Sequence, residues 1–321
     1  VIAGISGLNS LYRRITLPEL PRAVVDEAVK HEARRVIPVS LDEVYLSYQP
    51  IPALKEETRL FLVAYPRNMA DALLRTLRLA GVEPYIMDLA PLALSRIPDE
   101  PRAIIVNARL ENLDITIMAD RVPQVIRSLP LPSEAESLEE KLPTIAEELN
   151  RTVAFYNSSH LEKPLDSTVP VFVSGDLAEA PESWQSLVGN LGYSVSPLPP
   201  PIESPDGFPV NEFMVNIGLA LKELLPEKAE ANFSIVNLNA LPKVYQPKAL
   251  RMGQILVPIG IAIGIGLLIY VGSLVRSSSS RNDVLRSELA VIEHRVAQHH
   301  KDIATLNKEI KQVEAQIEPV E

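Results

Sequence analysis

The sequence predicts an α/β body followed by one transmembrane helix and a coiled coil, and three observations carry that prediction. Short β-branched runs alternate with amphipathic helical stretches over roughly the first 225 residues. Ile255–Val275 (ILVPIGIAIGIGLLIYVGSLV) contains no charged residue. Beyond Leu285, apolar residues recur at alternating steps of four and three as far as Ile317. The composition narrows what such a chain can do. Its 321 residues carry 31 Lys+Arg against 41 Asp+Glu, a net charge of −10, which opposes a nucleic-acid partner. Cys is absent, so disulfides, thiolate metal ligands and a thiol nucleophile are excluded. Residue 1 is Val with no basic segment leading into an apolar stretch, so the chain is read as incomplete at its N-terminus.

Taken in order, Ile15–Leu20 reads as a short strand before a Pro-bounded turn. Pro21–Val36 reads as a helix with Val24, Val25, Ala28 and Val29 on its apolar face. Val44–Tyr48 alternates as a strand, and Thr58–Ala64 (TRLFLVA) is a more buried one. Asn68–Ala80 is a helix stopped by Gly81 at the C′ position. Residues 1–84 thus form a small α+β unit. Ala103–Val106, Asp114–Met118 and Val122–Leu129 are strands, and Leu138–Tyr156 is a helix with Leu138, Leu142, Ile145, Leu149 and Val153 inward. Val169–Val173 is a buried strand, Ser183–Leu191 a helix, Val195–Leu198 an edge strand and Val215–Leu225 a closing helix. Residues 85–227 form this larger α/β part, and 228–254, rich in Pro, Asn and Lys, form a linker to the membrane.

At about 1.5 Å per residue, the span 255–275 covers roughly the 30 Å hydrocarbon core of a bilayer. A buried core helix is the alternative, but such helices carry a polar face, and here only Tyr270 and Ser273 are polar. Pro258 falls in the expected first turn, where its missing N–H costs least. Gly260, Gly264, Gly266 and Gly272 suit close helix packing in lipid, although glycine is common in such helices anyway. Lys243, Lys248 and Arg251 precede the span and Arg276, Arg281 and Arg286 follow it, so flanking charge leaves the orientation open. Ser277–Ser280 reads as a flexible joint.

In residues 276–321 the coiled-coil seam runs through Leu285, Leu289, Ile292, Val296, His299, Ile303, Leu306, Ile310, Val313 and Ile317. The one polar member, His299, can fix register or act as a pH-sensitive weak point. His294 and His300 lack a further ligand at a suitable spacing, so no metal site is expected.

No phosphate loop, dinucleotide fingerprint, zinc-protease pair or nucleophile turn is present. Gly4-Ile5-Ser6-Gly7 is a candidate glycine loop, but a tight hairpin turn explains it better. Asp99-Glu100 and Glu139-Glu140 read as solvated charge. His31 and His160 lack Ser or Asp companions at readable spacing. Catalytic residues are therefore none.

Three stretches read together are more specific. His31–Pro38 (HEARRVIP) runs on to Leu41–Gln49 (LDEVYLSYQ). Ala80–Pro84 (AGVEP) precedes Met87-Asp88-Leu89 and Leu92–Arg96 (LALSR). Glu147–Arg151 (EELNR) leads to Phe155-Tyr156 and later Val171–Gly175 (VFVSG). This pattern, over roughly residues 1–225, resembles the PilM family, actin-like cytoplasmic proteins of type IV pilus assembly. The resemblance implies an actin-like (ribonuclease-H-like) fold, N-terminally truncated, with the small unit at residues 1–84 as the family's inserted subdomain. Phe233–Pro242 (FSIVNLNALP), followed by basic residues, a span and a coiled coil, resembles the start of PilN, whose N-terminal peptide docks on PilM. Val236, Asn237, Leu238, Leu241 and Pro242 are then the partner-binding residues, with Asn239-Ala240 an insertion in the usual run. A solvated linker is the plain alternative for 233–242.

The resemblance also locates the family's nucleotide loops. Asn107 stands where an acid is expected, Arg109 where a glycine is, and Leu113 where a threonine precedes Asp114. In the adenosine turn Ser174-Gly175-Asp176, Asp176 replaces the second glycine. A glycine there lets backbone N–H groups approach phosphate, and an acid anchors the Mg²⁺ shell. The site is therefore read as degenerate, with neither ATP nor Mg²⁺ expected as cofactor. The resemblance implies a scaffold in the bacterial inner membrane, with 1–254 cytoplasmic and 276–321 outside. Its partners would be the lipid bilayer, a PilO-like or identical coiled coil, and other platform and motor components. The alternatives are a type II secretion protein of the GspL kind, a membrane-anchored actin-like ATPase, or a signal-relaying receptor.

Overall fold

The computed structural model describes residues 1–53, 57–135, 137–182, 184–185, 192–205, 207–224, 235–246 and 252–317. They divide into two units, Val1–Pro247 and Lys248–Glu321.

In the first unit, β1 (Ile2–Ile5) and β5 (Ile86–Leu89) pair in parallel, with Ile2 opposite Ile86 and Ile5 opposite Leu89. That pair joins residues on either side of the division drawn at residue 84. Gly4 lies within β1, and the turn comes later, where the Ser10 N–H donates to the Gly7 carbonyl at 3.0 Å. Between the paired strands come β2 (Leu11–Pro18), β3 (Val44–Ile51) and β4 (Glu57–Pro66). They form an antiparallel sheet with β4 in the middle, flanked by β2 and β3. The central position explains the apolar run of β4, whose residues 60–65 are all buried.

α1 (Arg22–Val36) covers that sheet through Val25, Ala28, Val29 and Ala33. Val24, expected inward, is 46% exposed: the buried spacing is 25, 28, 29 and 33, which turns Val24 outward. α2 (Arg67–Leu79) ends as the glycine signal indicates. Gly81 donates to the Arg78 carbonyl and Val82 to the Leu77 carbonyl, the paired bonds of a Schellman cap.

The chain then adds α3 (Ala90–Leu94) and a five-stranded sheet. Its strands are β6 (Ala103–Ala108), β7 (Asn112–Ala119), β8 (Val122–Pro130), β9 (Val171–Ser174) and β10 (Val195–Pro197). β6, β7 and β8 are antiparallel, while β9 and β10 continue the sheet in parallel beyond β6. α4 (Leu138–Ser159), capped by Ser137 accepting from the Glu140 N–H, packs on one face through Ile145, Leu149, Val153 and Tyr156. Leu94, Ile97, Met214, Ile217 and Leu221 cover the other face, the last three from α5 (Met214–Leu224). The helix expected over Ser183–Leu191 lies mostly outside the described residues, as do 225–234 and 247–251 of the expected linker.

The second unit is α6 (Met252–Ile317), 66 residues, about 100 Å at helical rise. Its apolar part is long and apolar enough to cross a membrane, the one such helix among the described residues. The helix begins at Met252, so Pro258 falls beyond its first turn. Its backbone also continues through Ser277–Ser280, where a joint was expected. Serine is only a moderate helix former, but elongation between two strong flanking segments costs far less than nucleation. Leu285, Leu289, Ile292, Val296, His299, Ile303, Leu306, Ile310 and Val313 lie on this helix, and all are exposed. The Ile317 side chain lies outside the described residues.

Candidate docking site

Residues 235–246, within the stretch expected as linker, pack on the first unit. Val236, Leu238, Ala240 and Leu241 are buried in the same cluster as Ala3, Ile5, Phe61, Val63, Met87 and Leu89. The segment lies along the edge of β5 left free by β1. The Ala240 N–H donates to the Met87 carbonyl at 2.7 Å, and the Met87 N–H donates to Asn239 Oδ1 at 3.1 Å. This is strand addition completed by a side-chain carbonyl. Asn239 Oδ1 also accepts from the Leu241 N–H at 2.9 Å, and Asn239 Nδ2 donates to the Tyr85 carbonyl. The Asn239-Ala240 insertion thus supplies the contacts to β5.

Both flanks are anchored by side chains. Gln49 Nε2 donates to the Ile235 carbonyl at 2.9 Å, and Gln49 Oε1 accepts from the Asn237 N–H at 2.6 Å. Tyr65, fully buried on β4, donates its hydroxyl to the Ala240 carbonyl. Beyond Pro242, the Tyr245 and Tyr45 hydroxyls each donate to Asp71 Oδ1 at 2.9 Å, and Lys243 pairs with Asp26 at 2.7 Å.

Beneath the segment lies a buried ionic cluster. Asp88 on β5 and Arg96 just after α3 are both fully buried and form an ion pair. Lys222 on α5 reaches the same Asp88 oxygen at 3.3 Å. Its ammonium also donates to Asn237 Oδ1 at 3.1 Å and to the Leu238 carbonyl. Burial draws the Lys222 pKa down to about 8, with Asp88 opposing and Arg96 reinforcing the shift. Arg96 donates to the Gly218 carbonyl at 3.2 Å, where α5 runs so close to α3 that a Cβ on Gly218 would sit 2.2 Å from the Ala93 carbonyl oxygen. Asp88 and Arg96 belong to the motifs quoted above. Gln49 ends another of them, whereas Lys222 and Tyr65 escaped sequence reasoning, because a single polar residue in an amphipathic pattern reads as solvated. The nearest available signal was Gly218, one helical turn before Lys222.

The expected nucleotide-loop residues also come together, at one end of the five-stranded sheet. Asn107 on β6 faces Asp114 on β7 and Ser174 on β9. Asp114 Oδ2 accepts from Asn107 Nδ2 at 3.1 Å and Oδ1 from Ser128 at 2.5 Å. Burial raises the Asp114 pKa, and those two hydrogen bonds oppose the shift. Leu113 is in the core. Asp176 accepts from the Leu110 N–H at 2.9 Å, and Arg109 donates to the Glu212 carbonyl at 3.3 Å. Gly175 has φ +73°, and a Cβ there would lie 2.7 Å from the Ala108 carbonyl oxygen, so this position requires glycine. The adjoining hollow of about 360 Å³ is lined by Arg109, Asp176, Glu179, Glu212 and Phe213. Three carboxylates against one guanidinium make this hollow unfavourable to an uncompensated polyphosphate.

The five-stranded sheet, with three antiparallel strands continued by two parallel ones and helices on both faces, has the layout expected of an actin-like fold. One of its solved neighbours is the PilM–PilN type IV pilus biogenesis complex, 21% identical, covering 70% of this chain and 80% of that one with a TM-score of 0.56. That likeness shows a shared fold. The cytoplasmic domain of EpsL, an inner-membrane component of the type II secretion system of Vibrio cholerae, aligns over 76% of this chain and 78% of its own at 12% identity and a TM-score of 0.42. No protein-family model and no curated protein matches the sequence.

Proposed function

We propose that this chain is a structural scaffold of type IV pilus assembly in which a PilM-like body and a PilN-like docking segment share one polypeptide. The observation that carries this reading is the burial of Val236, Leu238, Ala240 and Leu241 against β5, immediately before the helix long enough to span a membrane. Docking geometry of that kind transmits position rather than catalysis. Burying two leucines and a valine contributes about 5–9 kcal/mol, against a backbone entropy cost of about 1–2 kcal/mol for each residue ordered. The hydrogen bonds at Met87, Gln49, Tyr65 and Lys222 add to the favourable side. Covalent attachment then favours the docked state through an effective concentration on the order of millimolar.

In this reading residues 1–254 are cytoplasmic and α6 crosses the inner membrane once. The seam from Leu285 to Ile317 pairs outside with a PilO-like helix or a second copy. The body meets other platform and motor components, and the Asn107–Asp114 and Ser174–Asp176 loops are structural, binding neither ATP nor Mg²⁺. Introducing Leu238→Asp with Leu241→Asp in the source organism tests this. Surface pili should be lost while the protein still reaches the membrane. Retained pili with lost protein secretion would instead assign the chain to type II secretion, and no change in either would overturn the scaffold reading.

A further inference from the structure

A second cleft, which has Ile235 of the docked segment among its lining residues, lies between two strands that each end a sheet. One wall is β2, the outer strand of the three-stranded sheet, and the other is the start of β8, the outer strand of the five-stranded sheet. The C-terminal end of α4 forms part of the wall, and the cavity is about 1180 Å³. Its charge runs against that of the molecule. Arg13, Arg14, Arg59, Arg102 and Lys163 line it against a single carboxylate, Asp120, in a chain whose net charge is −10.

Among the described residues, the carboxylate nearest these five cations is Glu57, 3.8 Å from Arg59. The other hydrogen bonds of the guanidiniums go to neutral oxygens. Arg14 donates to the Gln124 side chain, Arg13 to the Tyr12 carbonyl, and Arg102 to the Pro164 carbonyl at 2.8 Å. Burial lowers the Arg14 pKa, with Tyr156 opposing and Arg59 reinforcing the shift.

The cleft also offers backbone and apolar surface. In an antiparallel pair, alternate residues turn their N–H and C=O groups away from the partner strand, so β2 presents such groups outward beside Arg13 and Arg14. Ile15, Val125 and Phe155, the last 60% exposed, add apolar contact.

We infer that this cleft takes an extended acidic peptide segment of a partner protein, added to the edge of β2 with its carboxylates on Arg13, Arg14, Arg59 and Arg102. A peptide fits better than a phosphate polyanion, because the free edge of β2 offers backbone hydrogen bonds that an extended peptide backbone can complete. A free edge strand selects extended backbone, and the arginine fork selects carboxylates. The cations and the β2 edge lie outside the docked segment, which contributes Ile235 alone to the lining.

The test uses the full chain in detergent and a labelled octapeptide alternating Glu with Val and Phe. Fluorescence anisotropy should show binding that weakens about tenfold with Arg14→Gln and further with Arg102→Gln added. It should fall steeply with salt and vanish when Lys replaces Glu in the probe. Hydrogen exchange with the peptide bound should slow in Leu11–Pro18, and thermal melts should show that both variants remain folded. Binding unaffected by the variants, no binding at millimolar peptide, or protection away from β2 would overturn the proposal. So would arginine-dependent binding of an oligonucleotide or anionic vesicles in preference to the peptide.

Discussion

Replacing Asp88 by Asn probes the ionic cluster under the docked segment most sharply. Asp88 and Arg96 are fully buried, and Lys222 is 6% exposed. With Asp88 present, one carboxylate faces two cations. Asn is nearly isosteric and keeps a hydrogen-bonding oxygen, so the change removes charge rather than packing. Two cations are then left facing each other in a low-dielectric site. Removing one partner of a buried ion pair costs about 3–5 kcal/mol. For a body of this size that corresponds to a fall in melting temperature of about 6–20 °C. The chain has a single tryptophan, Trp184, in the first unit, so its fluorescence can follow unfolding of the body without interference from α6. Adding Lys222→Met to Asp88→Asn should restore part of the loss, since it removes one stranded charge. A melting temperature within about 2 °C of the parent for Asp88→Asn alone would refute the buried-cluster argument.

Other expectations follow from the same geometry. Because the folded pKa of Lys222 is lowered to about 8, the unfolded chain holds more protons between there and the ordinary lysine range. Stability should therefore rise from about pH 7.5 to 9.5 and lose that rise in Lys222→Met. Above about pH 10 the sign reverses: burial holds Tyr48 up at about 12 and raises Tyr65, so the unfolded chain loses those protons first. Gly175→Ala should destabilise by about 1–3 kcal/mol in urea titrations, since it forces a side chain into a left-handed backbone position. Calorimetry with Mg-ATP on the full chain in detergent should show no binding heat, and a micromolar signal abolished by Arg109→Ala would reverse the degenerate-site argument.

Elements whose cause is local were legible in the sequence. The apolar run of β4, the inward face of α4 and the Gly81 stop on α2 each follow from spacing along a single element. The family motifs brought Asn107, Asp114 and Ser174 into one group before their register was known. The pairing of β1 with β5 was not legible, because each is four residues long and a run so short carries no period. Lys222 and Tyr65 were hidden for another reason. Their partners lie 134 residues away at Asp88 and 175 away at Ala240, and composition holds no record of such contacts. In the sequence, a solvated linker stands as the alternative for 233–242, since four apolar residues among Asn and Pro gain their meaning only from the β5 edge they meet.

Whether that segment is docked in solution is the question on which the rest turns. Hydrogen–deuterium exchange on the full chain in detergent answers it at the amides of Asn237 and Ala240, which donate to Gln49 and Met87. The scaffold account expects both to exchange slowly, and Leu238→Asp to accelerate both together with the Met87 amide. Exchange at the rate of an unstructured peptide in the parent protein would contradict it, leaving residues 235–246 a plain tether between the body and its membrane helix.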